Sequence, residues 1–396
     1  MLGDIPVFSR YRGPISPDVR LVVVQPTPFC NINCDYCYLP DRKSTARLAK
    51  ATFRKLLENL FGDGFGRRGL SIVWHAGEPM VLPPSYYESL FEVIDELSLS
   101  PELISHAFQT NGTLISPDWC SFFRDFKIRL GVSLDGPAWL HDRHRRDREG
   151  RGTHSRVLEG ISCLRESQID FHVIAVISSD SLGAADEIID HFLELGIQRI
   201  GFNIEELEGV HVSSSLRDGK LEDRLRMFWQ QLYHRQLAAN GSLEIREFSD
   251  AYQKITYARE DLTAEQSMRV TSQVSPLAIV AMDWRGNLSS FSPELLGLKS
   301  LKYGEFTFGN VHEISIREML NDPRFSRVAK DIYSGVRLCA KTCQYFPVCG
   351  GGAPVNKYFE NGSFVSAETL YCRGSLQMPF DVALAHLESV YIRPPK

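Results

Sequence analysis

Strand-like and helical patterns alternate regularly through the first half of this 396-residue chain. Six short strand-like runs are each followed by an amphipathic stretch, as at Phe53, Leu56, Leu57 and Leu60. Successive β-then-α units require parallel strands joined by right-handed crossovers. Six units are too few for an eight-stranded barrel, so the repeat predicts an α/β fold with a partial (β/α)6 TIM-type barrel. The predicted strands are Leu21–Val24, Ser71–Trp74, Ile104–Phe108, Arg129–Leu134, Phe171–Ile177 and Arg199–Ile204.

Changes in residue composition and in the spacing of apolar residues divide the chain into four predicted segments. Residues 1–17 form an N-terminal extension, and residues 18–220 form the partial barrel. Residues 221–270 have mostly helical spacing and are interpreted as a helical bridge. From 271 to 396 the chain has short strand-like runs, many glycines and four cysteines, which predict a separate C-terminal domain.

Composition narrows the class of protein. The chain is 43% hydrophobic and 23% charged, an ordinary balance for a globular protein. A net charge of −5 argues against a nucleic-acid-binding role. No apolar run approaches the ~20 residues of a membrane span, and no secretory signal peptide is recognisable. We therefore expect a cytoplasmic protein whose partners are neither nucleic acid nor membrane.

Seven of the nine cysteines fall into two groups, one near each end of the chain. In a cytoplasmic protein, clustered cysteines bind metal more often than they form disulfides. The other two, Cys120 and Cys163, lie in helical patterns and are expected to be core thiols.

The first group is Cys30, Cys34 and Cys37, which follow the first predicted strand with Cys-x3-Cys-x2-Cys spacing. Three thiolates leave one iron of a [4Fe–4S] cube without a protein ligand, whereas electron-transfer clusters usually have four. A structural zinc site is the alternative, but it needs four ligands and no fourth Cys or His lies nearby in the sequence. The spacing therefore predicts a cluster with one open, ligand-binding iron.

With Tyr36 before its last cysteine, this motif resembles that of the radical S-adenosylmethionine (SAM) superfamily. The resemblance implies that the open iron binds SAM, and that an electron from the cluster cleaves it to methionine and a 5′-deoxyadenosyl radical. Cys30, Cys34 and Cys37 are then the catalytic core, and a flavodoxin or ferredoxin-type protein is the expected reductant. The cofactor supplies the radical chemistry, while the protein positions and shields it.

Polar motifs at the ends of the following strands occur in the same order as in the superfamily, although each motif alone could be an ordinary turn. His75-Ala-Gly-Glu-Pro79 resembles the Gly-Gly-Glu-Pro motif that holds the SAM amino group, with Ala76 replacing the first glycine. The basic stretch His141–Arg156 is either a solvated loop or the source of an arginine for the SAM carboxylate. The implied SAM-binding residues are Tyr36, Gly77, Glu78, Pro79, Gln109, Asn111, Ser133, Asp135, Arg145 and Arg156, the two arginines being alternatives.

The sixth predicted strand ends in polar residues. Asn203, Glu205 and Glu206 either face the substrate or form a solvated turn. The residues themselves leave both interpretations open.

The second cysteine group is Cys339, Cys343, Cys349 and Cys372. Four thiolates can close a [4Fe–4S] cluster completely, although a structural zinc site would also use four. The group resembles the SPASM extension of peptide-modifying radical SAM enzymes, in which two auxiliary clusters are usual. Phe291 and Ala353 stand where cysteines of the inner cluster are expected. The resemblance therefore implies one auxiliary [4Fe–4S] cluster, held by these four cysteines.

Three further tracts are most similar to cyclophane-forming radical SAM/SPASM peptide maturases: Pro26–Pro40 around the first motif, Phe291–Gly297, and Gly350–Tyr358 with Leu370–Cys372. The similarity implies a ribosomally synthesised precursor peptide as partner, and a C–C crosslink between an aromatic ring and a side-chain β-carbon. Alternatives are thioether formation, epimerisation or formylglycine formation; formylglycine formation in sulfatases uses an Asp after the first SPASM cysteine, and both are missing near Phe291. A non-catalytic iron–sulfur sensor is the alternative of another class.

Overall fold

The computed structural model describes residues 18–256 and 271–391. The predicted N-terminal extension, 1–17, and the end of the predicted helical bridge, 257–270, lie outside the described residues. The strands are β1 Leu21–Val24, β2 Leu70–Trp74, β3 Ile104–Thr110, β4 Arg129–Ser133, β5 Phe171–Ile177, β6 Arg199–Ile204, β7 Glu244–Ile245, β8 Ile279–Met282, β9 Asn287–Ser290, β10 Lys299–Ser300, β11 Gly304–Glu305 and β12 Gly309–Asn310. The helices are α1 Lys50–Gly62, α2 Pro84–Glu96, α3 Pro117–Asp125, α4 Ala138–His144, α5 His154–Glu166, α6 Ala185–Glu194, α7 Glu222–Ala238, α8 Arg246–Thr256, α9 Pro323–Thr342, α10 Phe346–Cys349, α11 Pro354–Asn361 and α12 Met378–Tyr391.

Strands β1 to β6 lie side by side in chain order, and each is parallel to its neighbours. This arrangement confirms the predicted partial (β/α)6 barrel. Three of the six strands have the predicted bounds; β3 runs two residues further because Gln109 and Thr110 pair with Gly131 and Val132. Parallel strands place their carboxyl ends, and the loops that follow them, at one edge of the sheet.

Strands outside the six repeats extend the same sheet. β7 adds to β6 in parallel, and β8 lies parallel to β1, with Leu21 opposite Ile279. β9 and β12 follow as antiparallel strands. The sheet thus ends at β12 on one side and β7 on the other, so the barrel is open within the described residues. The predicted segment boundaries at 220 and 270 remain predictions.

An aromatic cluster packs beneath the carboxyl ends of β2 and β3. Trp74 meets Tyr87 edge-on at 5.2 Å between ring centroids, and Tyr87 meets Phe108 at 4.8 Å. Such pairs contribute about 0.5–1.5 kcal/mol each beyond the area that they bury. They hold the two strand ends, which carry the polar motifs, in a fixed relation.

The C-terminal helices pack against the last strands of the barrel. Cys372–Gln377 is a π-helical turn, in which Gly374 presents its carbonyl to the Trp229 indole N–H of α7 at 2.7 Å. Gly374 also packs closely on Ile204 at the end of β6. The segment around Cys372 is thereby fixed to the barrel. Among the helices described, none is long and apolar enough to cross a membrane.

Candidate active site

The loop after β1 carries the first cysteine group. Cys34 is buried, and Cys30 and Cys37 are partly buried. Burial above all, with repulsion between the neighbouring thiolates, raises the pKa of Cys30 and of Cys34 to about 12. A bound metal removes the proton of a coordinating thiol outright. Three mutually interacting thiols in one loop fit a cluster that leaves one iron free of protein.

The basic stretch His141–Arg156 packs against this cysteine loop. The backbone N–H of Asn33 donates to the Arg146 carbonyl at 2.6 Å, and the Arg148 guanidinium donates to the Cys30 carbonyl at 2.8 Å. The stretch therefore holds the loop in place in addition to carrying the candidate SAM arginines.

The turn after β2 also contacts the cysteine loop. Ala76 and Gly77 adopt left-handed backbone conformations, with φ of 67° and 90°. The Glu78 N–H donates to the Phe29 carbonyl at 2.8 Å, and a Cβ on Gly77 would lie 2.2 Å from the Thr27 carbonyl oxygen. Glycine is thus required at 77 by the approach of two protein backbones.

Glu78 ties the ends of β2 and β3 together. Its side chain is only 1% exposed. One carboxylate oxygen accepts from the Met80 N–H at 3.0 Å and the Thr110 hydroxyl at 2.7 Å, and the other accepts from the Asn111 N–H at 2.8 Å. Burial raises the pKa of Glu78 to about 7, against the lowering effect of these hydrogen bonds. Both oxygens are engaged inside the protein, and the expected contact with the SAM ammonium stays a prediction.

Asn111 and Pro79 support the cysteine loop and the β2 turn. The Asn111 amide donates to Asn31 Oδ1 at 2.8 Å and lies 3.8 Å from the Cys30 sulfur. The Pro79 carbonyl accepts from the buried Tyr87 hydroxyl at 2.7 Å. These contacts join the loops of the first three strands.

The structure separates the two candidate arginines. Arg145 is buried and holds Asp135 with two hydrogen bonds, of 2.9 Å from Nε and 3.1 Å from Nη2. The Tyr36 hydroxyl donates to the same carboxylate, and the Arg145 guanidinium lies 5.4 Å from the Tyr36 ring. Burial opposes ionisation of Asp135, but the charge of Arg145 outweighs it and the pKa of Asp135 is lowered. Arg156 instead pairs with Asp147 at 3.4 Å.

Predicted SAM-binding residues and the cluster loop share a cavity of about 440 Å³ at the carboxyl ends of the strands. Gln109 donates to the Ser133 hydroxyl at 3.3 Å within it. The predicted residues that line it are Cys34, Tyr36, Cys37, Gln109, Ser133, Arg145, Asn203, Glu205 and Glu206. The predicted residues outside its wall are Cys30, Gly77, Glu78, Pro79, Asn111, Asp135 and Arg156.

Two buried polar atoms on this cavity lack hydrogen-bond partners among the described residues: the Tyr38 hydroxyl and His75 Nδ1. Burial lowers the pKa of His75 to about 4, so its imidazole is neutral near pH 7. A buried polar group without a partner is costly, and a polar ligand would satisfy it. The cavity is therefore suited to a ligand with several polar groups, as SAM has.

Besides Glu205, three further carboxylates line the cavity. Glu206 and Glu208 follow β6, and Glu294 follows β9. Glu206 accepts from the Asn356 amide at 2.6 Å. Burial above all raises the pKa of Glu206 to about 7 and raises those of Glu208 and Glu294. Sequence reasoning did not find Glu208 or Glu294. The signal for Glu294 was its place in the tract Phe291–Gly297, but no local pattern shows that the fold brings residues after β9 to the cavity at the end of β6.

The second cysteine group lines one cavity of about 200 Å³ between the C-terminal helices and the barrel. Neutral donors point at two of its sulfurs: the Gly352 N–H at 3.1 Å from Cys349, and the Thr369 hydroxyl at 3.2 Å from Cys372. Hydrogen bonds to sulfur are typical of iron–sulfur sites. All four predicted ligands, Cys339, Cys343, Cys349 and Cys372, are thus brought together.

The four thiols line one cavity, which is compatible with their prediction as ligands of one shared iron–sulfur cluster.

The two cavities share part of their walls. Asn203 and Tyr371 line both of them, and Tyr371 directly precedes Cys372. A cluster on the second cysteine group would therefore lie next to the cavity in which SAM and substrate are expected.

The two positions where the resemblance expects cysteines of an inner auxiliary cluster are filled by buried apolar side chains. Phe291 is fully buried, with its ring 5.4 Å from that of Phe325, and Ala353 is also buried. Cys120 and Cys163 lie on α3 and α5 with their sulfurs 3.5 Å apart. Cys120 is a core thiol as expected, whereas Cys163 is partly exposed at the edge of the core.

Comparison with known sequences shows which proteins this chain resembles. Residues 24–179 match the Radical SAM superfamily. The uncharacterised Synechocystis protein sll1766 is 38% identical over 93% of this chain and 92% of its own length. The serine-type anaerobic sulfatase-maturating enzyme of Klebsiella aerogenes is 31% identical over 54% of this chain and 52% of its own.

Solved structures share the fold. The structure of anSMEcpe with bound AdoMet and a peptide has a TM-score of 0.72 at 20% identity, over 94% of this chain and 99% of that one. Streptococcus suis SuiB bound to its precursor peptide SuiA has a TM-score of 0.61 at 18% identity, over 90% and 76%. Both matches include the C-terminal region. This chain belongs to the radical SAM superfamily, as an enzyme that uses SAM and [4Fe–4S] clusters.

Proposed function

We propose that this enzyme modifies a ribosomally synthesised precursor peptide by joining an aromatic ring carbon to a side-chain β-carbon, which closes a cyclophane. The observation that carries the proposal is the pair of adjoining cavities: one has the SAM-side residues and four carboxylates, and the other has four thiols. An oxidative crosslink requires that a hydrogen atom, a proton and an electron leave the substrate at one place. We assign the hydrogen atom to the SAM site, the proton to the cavity carboxylates and the electron to the four-thiol site.

Cys30, Cys34 and Cys37 would hold the cluster that binds SAM; one electron from a flavodoxin or ferredoxin-type reductant would cleave SAM there, and the resulting 5′-deoxyadenosyl radical would take a hydrogen atom from the substrate β-carbon. The C–C bond then forms, and the ring regains aromaticity by releasing one proton and one electron. The net change is the loss of two hydrogens from the peptide. A cluster held by the second cysteine group could accept that electron, since Tyr371 and Asn203 line both its cavity and the SAM cavity.

Arg145 is our candidate for the SAM carboxylate. Asp135 accepts from its Nε and Nη2, which fixes the guanidinium plane at the wall of the cavity. Ser133 and Gln109, which hydrogen-bond each other on the same wall, are candidates for polar groups of the nucleoside. Cys30, Cys34 and Cys37 are the candidate ligands of the SAM-binding cluster.

Glu206, Glu208 and Glu294 are our candidates for the proton acceptor. A raised pKa brings a carboxylate nearer to the working pH, which favours general base catalysis. The pKa of Glu206, near 7, meets this condition. The base is thus proposed to be one member of this group on the cavity wall.

Cyclophane closure is preferred because the tracts Pro26–Pro40, Phe291–Gly297 and Gly350–Tyr358 are similar to those of cyclophane-forming maturases. The inner auxiliary site is also replaced by packed side chains at Phe291 and Ala353. Formylglycine formation is the second candidate, favoured by the similarity to sulfatase-maturating enzymes. Glu294 supports it too, since it lies three residues after Phe291 and adds a carboxylate to the cavity.

Deuterium in the aromatic rings of the precursor peptide separates these reactions. Cyclophane closure and oxidation of a serine to formylglycine both lower the peptide mass by about 2 Da, since each removes two hydrogens. Cyclophane closure loses one ring deuterium, whereas aldehyde formation loses none. A product that retained every ring deuterium would refute the cyclophane and favour the second candidate. Cleavage of SAM by the reduced protein would exclude the alternative of a non-catalytic iron–sulfur sensor.

A further inference from the structure

Lys357 places a buried positive charge on a candidate ligand of the auxiliary cluster. The residue is 2% exposed, and its ammonium lies 3.1 Å from the Cys339 sulfur. Helix α11 holds it there: Asn356, the preceding residue, hydrogen-bonds Glu206 on the wall of the SAM cavity. One helix thus contacts both candidate cofactor sites.

The charge has no carboxylate partner. In residues 18–256 and 271–391, no Asp or Glu forms an ion pair with Lys357. Lysine is almost never fully buried unless its charge is paired, and an unpaired buried ion costs several kcal/mol. A negatively charged group made of thiolates and iron–sulfur cube would supply the missing partner. The four-thiol cavity borders that ammonium through Cys339.

The other hydrogen bonds to this cysteine group come from neutral donors. The Gly352 N–H donates to the Cys349 sulfur, and the Thr369 hydroxyl donates to the Cys372 sulfur. Net charge and hydrogen bonds to sulfur are two of the factors that set the potential of a cluster. A full positive charge at low dielectric acts more strongly than a neutral donor. Reduction adds one negative charge to the cluster, so a fixed ammonium favours the reduced form.

We propose that Lys357 is a positioning residue that raises the reduction potential of the C-terminal cluster and so enables it to accept an electron from the neighbouring cavity. The proposal needs a cluster on the second cysteine group, but it does not depend on which bond the enzyme forms in its substrate. Two consecutive residues of α11 then act at different sites: Asn356 contacts Glu206 on the SAM cavity, and Lys357 contacts Cys339 of the second cysteine group.

The test is an EPR-monitored redox titration of the full chain. A background with Cys30, Cys34 and Cys37 replaced by Ala leaves the C-terminal cluster as the source of signal. Lys357→Met removes the charge while keeping the chain length. Lys357→Arg keeps the charge, and Thr369→Val removes a neutral donor as the matched control.

We expect Lys357→Met to shift the ratio of reduced to oxidised cluster at least tenfold toward oxidised at a fixed potential, which is about 59 mV for one electron. Thr369→Val should shift it less, and Lys357→Arg should stay nearer to the wild type. A wild-type midpoint in fully loaded Lys357→Met would overturn the proposal.

Iron content separates tuning from assembly. If Lys357→Met does not load iron, Lys357→Gln takes its place in the titration, because it keeps a neutral donor in reach of Cys339. Failure of both neutral variants to load would also overturn the proposal, since Lys357 would then serve to assemble the site.

Discussion

Replacing Gly77 with alanine tests whether the turn after β2 sets the position of the cysteine loop. Gly77 has φ of 90°, and a left-handed conformation costs a non-glycine residue about 1–3 kcal/mol. The added Cβ would also lie 2.2 Å from the Thr27 carbonyl oxygen and 2.9 Å from that of Phe29. To restore van der Waals contact, the loop would have to retreat by about 1 Å. That displacement falls directly before Cys30.

Gly69 provides a matched control. It has φ of 103°, and a Cβ there would meet nothing within 4 Å. Gly69→Ala therefore carries the backbone strain without the collision. We expect Gly69→Ala to keep both clusters and Gly77→Ala to lose the N-terminal one, so that iron falls from about eight to about four per chain.

Iron and sulfide analysis after anaerobic reconstitution, together with chromatography of 5′-deoxyadenosine, measures both effects. Gly77→Ala should cleave no SAM, while Gly69→Ala should cleave it at close to the wild-type rate. If Gly77→Ala retained eight irons and cleaved SAM normally, the contact between turn and loop would not be what holds the cluster site.

Three further predictions concern the two cavities. Arg145→Lys should weaken SAM binding about tenfold, or about 1.4 kcal/mol, whereas Arg156→Lys should leave it unchanged, as calorimetric titration with SAM will show. Cys343→Ala should lose the C-terminal cluster and still release 5′-deoxyadenosine, but form little crosslinked peptide; full crosslinking would reduce that cluster to a structural role. Product formation should fall as the pH drops through about 7, because Glu206, whose pKa is raised to about 7, becomes protonated there and can no longer accept a proton. Glu206→Gln should abolish this pH dependence; an unchanged pH profile would show that Glu206 is not the base.

Local patterns were sufficient to predict the barrel. Each of β1 to β6 is a short strand-like run followed by a helix, so the residue periodicity and the order of the elements indicate a parallel sheet. The alignment of β8 beside β1 was not predictable in the same way. It depends on pairing between Leu21 and Ile279, which are far apart in the sequence and have no local signal.

The site was predictable where a motif occupies one loop. The cysteines at 30–37 and the turn at 75–79 follow single strands, so sequence alone places them at one edge of the sheet. Arg145 and Arg156 could not be separated, because both lie in one basic stretch and only the packing of that stretch puts Arg145 on the cavity. Glu294 was missed because it enters the cavity from beyond β9.

The central claim is that two separate sets of thiols hold two [4Fe–4S] clusters, one with an open iron for SAM and one fully ligated. Iron, sulfide and zinc analysis of the reconstituted full chain, with Mössbauer spectroscopy, tests it most directly. We predict about eight irons per chain as two cubes, and about four when Cys30, Cys34 and Cys37 are replaced by Ala. Twelve irons would contradict the loss of the inner cluster, and zinc at the second cysteine group would contradict its role as electron acceptor.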